Sequence, residues 1–291
     1  MPVPPPSVVF ILALSSDIGA ALARHYLGQG ATILGTYRTE LPADLQANPR
    51  VRACACDLAE PATTSVLSDF LRAAAEPWDV FISCVGQLSP VGKFLQVDFD
   101  QWETAVQVNS TAQLRALHAA YPFRRTGGEV GVVFFAGGGT NSPFTSYSAY
   151  CLGKIALIKM CELLDDEAPD LNAFIVGTGW VRTKIHAQTL DAGLAAGANL
   201  STTQRFLAEG QIGTSYADIA AVIDWGCAQG RSVTGGRNFS VVHDAWRHGG
   251  QALSAALRAD PHHYKMRRHG NSFAPSNPPS AAPANSVIPS A

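Results

Sequence analysis

The chain has 291 residues, is 47% hydrophobic and 15% charged, and carries a formal net charge of −2. That length and apolar content suit one large α/β domain, and the near-balanced charge offers no bulk attraction to nucleic acid or to a membrane surface. No apolar run reaches the roughly 18 residues of a membrane helix. The start Met1-Pro2-Val3-Pro4-Pro5-Pro6 lacks the basic region of a signal peptide, and the six cysteines fall in apolar strand-like or helical stretches without zinc-ligand spacing. A reducing, cytoplasmic setting with no metal site is expected.

In chain order, residues 7–14 form a continuous apolar run short enough for a strand buried on both faces. Ser15-Ser16-Asp17-Ile18-Gly19 follows as a turn, with Asp17 read as the helix N-cap, and an alanine-rich helix runs on through Leu27 to Gly28 and Gly30. Strands are then expected at 31–36, 51–55, 80–84, 130–135, 172–176 and 238–242. Helices are expected at 63–75, 99–120, 146–168 and 216–229, with a less regular segment at 183–213. Strands alternating with helices imply a single doubly wound parallel sheet of Rossmann type, in three α/β/α layers with right-handed crossovers. The domain is expected over 8–249, after a proline-rich segment at 1–7 and before an extension at 250–291. From about 271 that extension is rich in proline, serine, alanine and asparagine and is expected to be disordered. The basic residues Lys265, Arg267 and Arg268 read as solvated surface.

Two local patterns carry chemistry. A strand, a small-residue turn and a helix start present backbone N–H groups to a phosphate, although Ala13 and Asp17 stand where two of the three glycines of a dinucleotide fingerprint would be. Further on, Tyr150 and Lys154 are four apart in a helical stretch and so share a face. A phenol beside an ammonium is an acid/base group whose pKa is expected to move toward neutrality.

With these features in order, the chain resembles the short-chain dehydrogenase/reductase family over about residues 8–244. Ser15-Ser16-Asp17-Ile18-Gly19 resembles the family's phosphate loop, and Asp57-Leu58 its adenine-contacting pair. Ser83-Cys84-Val85-Gly86 stands at its Asn-Asn-Ala-Gly, with only Gly86 kept. Val108-Asn109-Ser110 resembles the segment with its structural and proton-relay asparagine. Tyr150 and Lys154 match its Tyr-x-x-x-Lys, and Thr178-Gly179-Trp180-Val181-Arg182-Thr183 resembles its Pro-Gly-x-Val-x-Thr stretch. The resemblance implies an oxidoreductase that reduces a carbonyl or oxidises an alcohol. Tyr150, Lys154 and Asn109 would be catalytic. Ser15, Ser16, Asp17, Ile18, Tyr37, Arg38, Asp57, Leu58, Gly86, Tyr150, Lys154, Val181 and Thr183 would hold the cofactor. Tyr37-Arg38, at the end of the second strand, offers a guanidinium and no adjacent carboxylate, which favours NADP(H) while leaving NAD(H) possible.

One family feature is missing. The catalytic serine expected about 13 residues before Tyr150 is replaced by Ala136/Gly137. Backbone N–H groups of the glycine run, or the hydroxyl of Thr140, Ser142 or Ser148, are the candidate substitutes. Two other readings stay open: a non-redox enzyme on the same scaffold (epimerase, dehydratase or cyclase), and a nucleotide-binding regulatory protein. The resemblance also implies a small-molecule partner and a homodimer or homotetramer built on the helices at 99–120 and 146–168. The 183–213 segment, with Trp180 and His186 nearby and Gly193, Gly197 and Gly213 within it, reads as a lid.

Overall fold

The computed structural model describes residues 5–60, 62–210, 213–247 and 250–267. The tail from about 271, Arg268 and the first four residues lie outside that range.

The first half of the chain builds one side of the sheet. Strand β1 (Val8–Leu12) is buried along its whole length and leads into helix α1 (Asp17–Gly28). Strand β2 (Thr32–Tyr37), the single turn α2 (Ala43–Gln46), strand β3 (Val51–Ala55), helix α3 (Thr63–Ala74) and strand β4 (Val80–Ser83) follow. Helices α4 (Phe99–Asn109) and α5 (Thr111–Ala120) lead to strand β5 (Val130–Ala136), helix α6 (Ser148–Glu167) and strand β6 (Leu171–Gly177). The chain then forms α7 (His186–Ala192), α8 (Ala198–Ala208), α9 (Tyr216–Gln229), the short α10 (Arg231–Thr234), strand β7 (Asn238–Ser240) and α11 (Gly250–Ala259).

The seven strands are parallel, in the order β3-β2-β1-β4-β5-β6-β7. Each face is covered by its own apolar layer, because alternate side chains of a strand point to opposite sides. From β1, Val9 and Ile11 join Leu22, Tyr26, Ile219 and Ile223 on the α1/α9 side. Val8, Phe10 and Leu12 join Leu67, Ala116 and Leu157 on the α3/α5/α6 side. Phe10, Phe81 and Phe134 form an aromatic row across β1, β4 and β5, with centroid spacings of 5.5 and 6.0 Å. The strand order reverses between β1 and β4, which opens a crevice at the carboxyl ends of the strands.

Four expectations are corrected. Ser16, not Asp17, caps α1: its Oγ accepts the Gly19 N–H at 3.0 Å, and Asp17 is the first helical residue. The helix expected over 99–120 is two helices, broken at Ser110 (φ −137°, ψ −90°). There the Asn109 side chain turns back to accept from the Gln87 N–H and to donate to the Gln87 and Ala105 carbonyls. The irregular lid segment contains α7 and α8. Finally, α11, which the sequence did not suggest, buries Leu253 and Leu257 in the α1/α9 layer. The Arg237 guanidinium ties it down by donating to the Leu257, Asp260 and His263 carbonyls.

Candidate active site

A cleft of about 970 Å³ lies over the crevice between β1 and β4. Of the expected residues, Ser15, Ser16, Asp17, Ile18, Arg38, Asp57, Leu58, Gly86, Tyr150, Lys154, Val181 and Thr183 line it. Tyr37 and Asn109 do not line it. Tyr37 is half-buried at the end of β2, and Asn109 is fully buried behind Gln87.

The turn that opens the cleft is tight. Ala13 adopts φ 60°, a left-handed conformation costly for alanine, and a Cβ on Gly19 would collide with the Ala13 carbonyl. Glycine is required at position 19 and has been given up at position 13. Asp17 places a carboxylate on the first turn of α1 and accepts the Lys184 backbone N–H at 2.6 Å. Arg38 is exposed at the far end of the cleft and forms no ion pair among the described residues. Asp57 uses its Oδ1 to accept the Ala59 N–H at 3.0 Å.

On the floor of the cleft, α6 presents Tyr150 and Lys154. Lys154 is only 2% exposed, and its Nζ donates to the Val85 carbonyl at 2.8 Å. An ammonium has three N–H groups, and no carboxylate pairs with this one among the described residues. A buried cation so under-partnered is costly unless something polar joins it. Burial pulls the Lys154 pKa down to about 8. Burial, followed by the Cys151 thiol, pushes the Tyr150 phenol up to about 12. The expected lowering of the phenol by Lys154 is therefore not realised in this geometry. The ammonium sits 5.8 Å from the ring centroid and is bound to a carbonyl rather than to the hydroxyl.

The missing serine has a steric counterpart. A Cβ on Gly137 would lie 2.5 Å from the Tyr150 Cζ and would overlap the ring and hydroxyl. The phenol occupies the space a side chain at 137 would need. Among the candidate substitutes, Thr140 Oγ1 donates back to the Gly137 carbonyl at 3.1 Å, and Ser148 Oγ accepts from Trp102 Nε1 at 2.9 Å. Ser142 lines the cleft and is exposed.

Several lining residues escaped sequence reading. Phe144 stacks on Tyr147 (4.3 Å, 12°), whose hydroxyl shares a 2.9 Å hydrogen bond with Thr189 of α7. The Gln188 side-chain carbonyl accepts from both the Leu88 and Ser89 N–H groups at 2.9 Å, fastening α7 to the loop after β4. His186 is packed rather than poised: its ring stacks on Trp180 and its Nε2 meets the Val181 carbonyl at 2.9 Å. Tyr147 could have been noticed as a second aromatic one helical turn before Cys151. Gln188 and Thr189 carried no signal of their own.

The residues present fit a nicotinamide dinucleotide. A glycine-dependent turn faces a buried ammonium with N–H groups to spare, and the cleft between them spans the switch point of the sheet. Among the described residues, no group of three or more His, Cys, Asp or Glu could hold a metal ion, and no helix is long and apolar enough to cross a membrane.

Comparison with known proteins agrees. A short-chain dehydrogenase/reductase of Penicillium canescens is 30% identical over 119 residues, which are 40% of this chain and 46% of the relative. The chain spans about half the length of the curated relatives it matches. A short-chain dehydrogenase/reductase structure from Saccharomyces cerevisiae superposes with a TM-score of 0.72 at 21% identity, covering 83% of this chain and 98% of that one. A short-chain dehydrogenase of Shigella flexneri, solved in complex with NADP, gives 0.65 at 20% identity, covering 80% and 96%. The family model for short chain dehydrogenase matches residues 7–192, from β1 through the phosphate-facing turn and the Tyr150 helix to α7, and the chain belongs to that oxidoreductase family.

Proposed function

We propose that the protein is an NADP(H)-dependent carbonyl reductase, running in reverse as an alcohol dehydrogenase, with Tyr150 as its acid/base group. The observation that carries this reading is the pairing of a cleft-facing phenol with a buried, under-partnered ammonium on one face of α6. When bound, the nicotinamide would give or take the hydride at the reacting carbon. The phenol at Tyr150 would deliver its proton to the substrate oxygen. Burial holds its pKa above the ordinary value, so it is protonated at neutral pH and available as the proton donor in reduction. Lys154 would bind the cofactor's ribose through the N–H groups that Val85 leaves over. Asn109 would act by holding Gln87, and so the loop that borders the cleft, in place. Ser142 and the backbone N–H groups of the glycine run would supply the second hydrogen bond to the substrate oxygen. Arg38 would receive the 2′-phosphate, since a guanidinium matches phosphate geometry.

The end of the cleft beside Tyr150 is bounded by Leu88, Phe144, Tyr147, Ile185 and Thr189. The flat Phe144–Tyr147 stack and the absence of charge among these residues favour an uncharged, largely apolar carbonyl compound. An assembly through α4 and α6 is supported by the exposed Phe94 and Phe99, whose rings pack against Trp102, itself hydrogen-bonded to Ser148 of α6.

The test is NADPH oxidation against a panel of apolar ketones and aldehydes. Turnover is expected for the native protein, and Tyr150→Phe should lower it by about 10²–10⁴-fold while leaving NADPH affinity nearly intact. Undiminished turnover in Tyr150→Phe would refute the assignment. Nucleotide binding without turnover across the panel would favour the non-redox reading, to which the excluded serine also speaks.

A further inference from the structure

We propose that Lys184 is a phosphate ligand of the cleft, placed to offset the carboxylate that this chain carries in its phosphate-facing turn. The inference rests on the reading that a nicotinamide dinucleotide occupies the cleft, and extends it to a residue outside the expected set.

The turn from β1 to α1 has an electrostatic defect. The start of a helix carries about half a unit of positive charge, and its free N–H groups favour an anion. Asp17 stands on that first turn with a full negative charge, half-buried and facing the same cleft. Left alone, it would cancel the attraction of the helix end and repel a pyrophosphate.

Lys184 meets the turn from 167 residues away in sequence. Its backbone N–H donates to Asp17 Oδ2 at 2.6 Å, and its Nζ donates to the Ser15 carbonyl at 2.8 Å, so one residue touches both sides of the loop. The ammonium forms no ion pair with Asp17 or with any other carboxylate among the described residues. Among the described residues its partner is the neutral Ser15 carbonyl, which leaves two N–H groups at the lip of the cleft. A cation held beside a carboxylate by its backbone, with its head group left for something else, suits a second anion. A pyrophosphate over Ser15–Gly19 would be within reach of that head group, and Lys184 would then restore the positive field that Asp17 removes. The residue also begins the segment leading into α7, so the same contact would tie phosphate occupancy to Ile185, which packs near Gly86 and Tyr150.

Equilibrium titration with NADPH tests this on four proteins: native, Lys184→Met, Asp17→Gly and the double variant, with Lys184→Arg as a conservative control. Lys184 is exposed, so Lys184→Met and Lys184→Arg should leave the melting midpoint close to native; Asp17→Gly removes the acceptor of the Lys184 N–H, and its fold is compared with native by circular dichroism before titration. Lys184→Met is expected to weaken NADPH binding by about 10–100-fold, in the range of one charge-assisted contact. Lys184→Arg should stay within about threefold of native. Asp17→Gly should bind as tightly as native or tighter, and in that background the loss caused by Lys184→Met should shrink to about threefold or less. Native-strength binding by Lys184→Met, or an equal loss with and without Asp17, would overturn the assignment. Failure of the native protein itself to bind NADPH would overturn both this inference and the reading beneath it.

Discussion

A side chain at position 137 and the phenol of Tyr150 compete for one space, which makes the absent serine more than a lost hydrogen bond. Restoring it by Gly137→Ser should lower turnover rather than raise it. Overpacking of this kind costs about 1–3 kcal/mol, enough to displace the phenol, and a steady-state assay should show a fall of about tenfold or more. A rise in kcat would contradict the steric account. Lys154 gives a second expectation, with a defined sign. Its folded pKa of about 8 lies below the ordinary 10.5. Between those values the unfolded chain binds the proton that the folded protein releases, so this group adds stability as pH rises from about 8 to 10.5, and its full penalty applies below 8. Lys154→Met should therefore unfold at higher denaturant at pH 7, by on the order of 3 kcal/mol, while losing turnover. The advantage should vanish above pH 10.5. A less stable Lys154→Met at pH 7 would show that the ammonium is not penalised by its surroundings. At this scale the sequence was informative about identity and poor about environment. The four-residue spacing marked Tyr150 and Lys154. It could not show that burial outweighs their mutual attraction, because the 5.8 Å separation and the Val85 contact arise from the way the loop after β4 meets α6.

At the scale of elements, one side chain, Gln188, carries the hydrogen bonds described between α7 and the loop after β4. Gln188→Ala would leave the Leu88 and Ser89 N–H groups without their acceptor, at about 1 kcal/mol each. The expected result is a KM for the carbonyl substrate raised severalfold with kcat less affected, together with faster proteolysis between α7 and α8. An unchanged KM and cleavage rate would mean that this contact does not hold the segment. Much of the element order was readable from apolar runs and their lengths: the strands at β1 and β5 and the helix α9 fall where expected. The break at Ser110 was not readable, because α4 and α5 keep nearly the same apolar phase across it. The Ser110 backbone marks the interruption, with the reach of Asn109 to Gln87 and of Ser110 Oγ to the Val106 carbonyl at 2.5 Å beside it. The helices α7 and α8 were hidden by Gly193 and Gly197, whose φ values of 53° and 58° separate them with a short turn.

For the whole molecule, alternation of strand and helix gave the parallel sheet, and the reversal of strand order between β1 and β4 located the cleft. Helix α11 falls within the extension expected at 250–291, although Leu253 and Leu257, four apart, share the face it buries. The buried Arg237 beneath it gathers carbonyls from positions 257, 260 and 263. The chemistry assigned to Tyr150, Lys154, Arg38 and Lys184 converges on one ligand across the switch point. Equilibrium titration of the native protein with NADPH and with NADH under the same conditions, followed by tryptophan fluorescence of the cleft-lining Trp180, examines that convergence most directly. Saturable NADPH binding, about tenfold or more tighter than NADH, is the predicted result; absence of saturable binding by either nucleotide would contradict it.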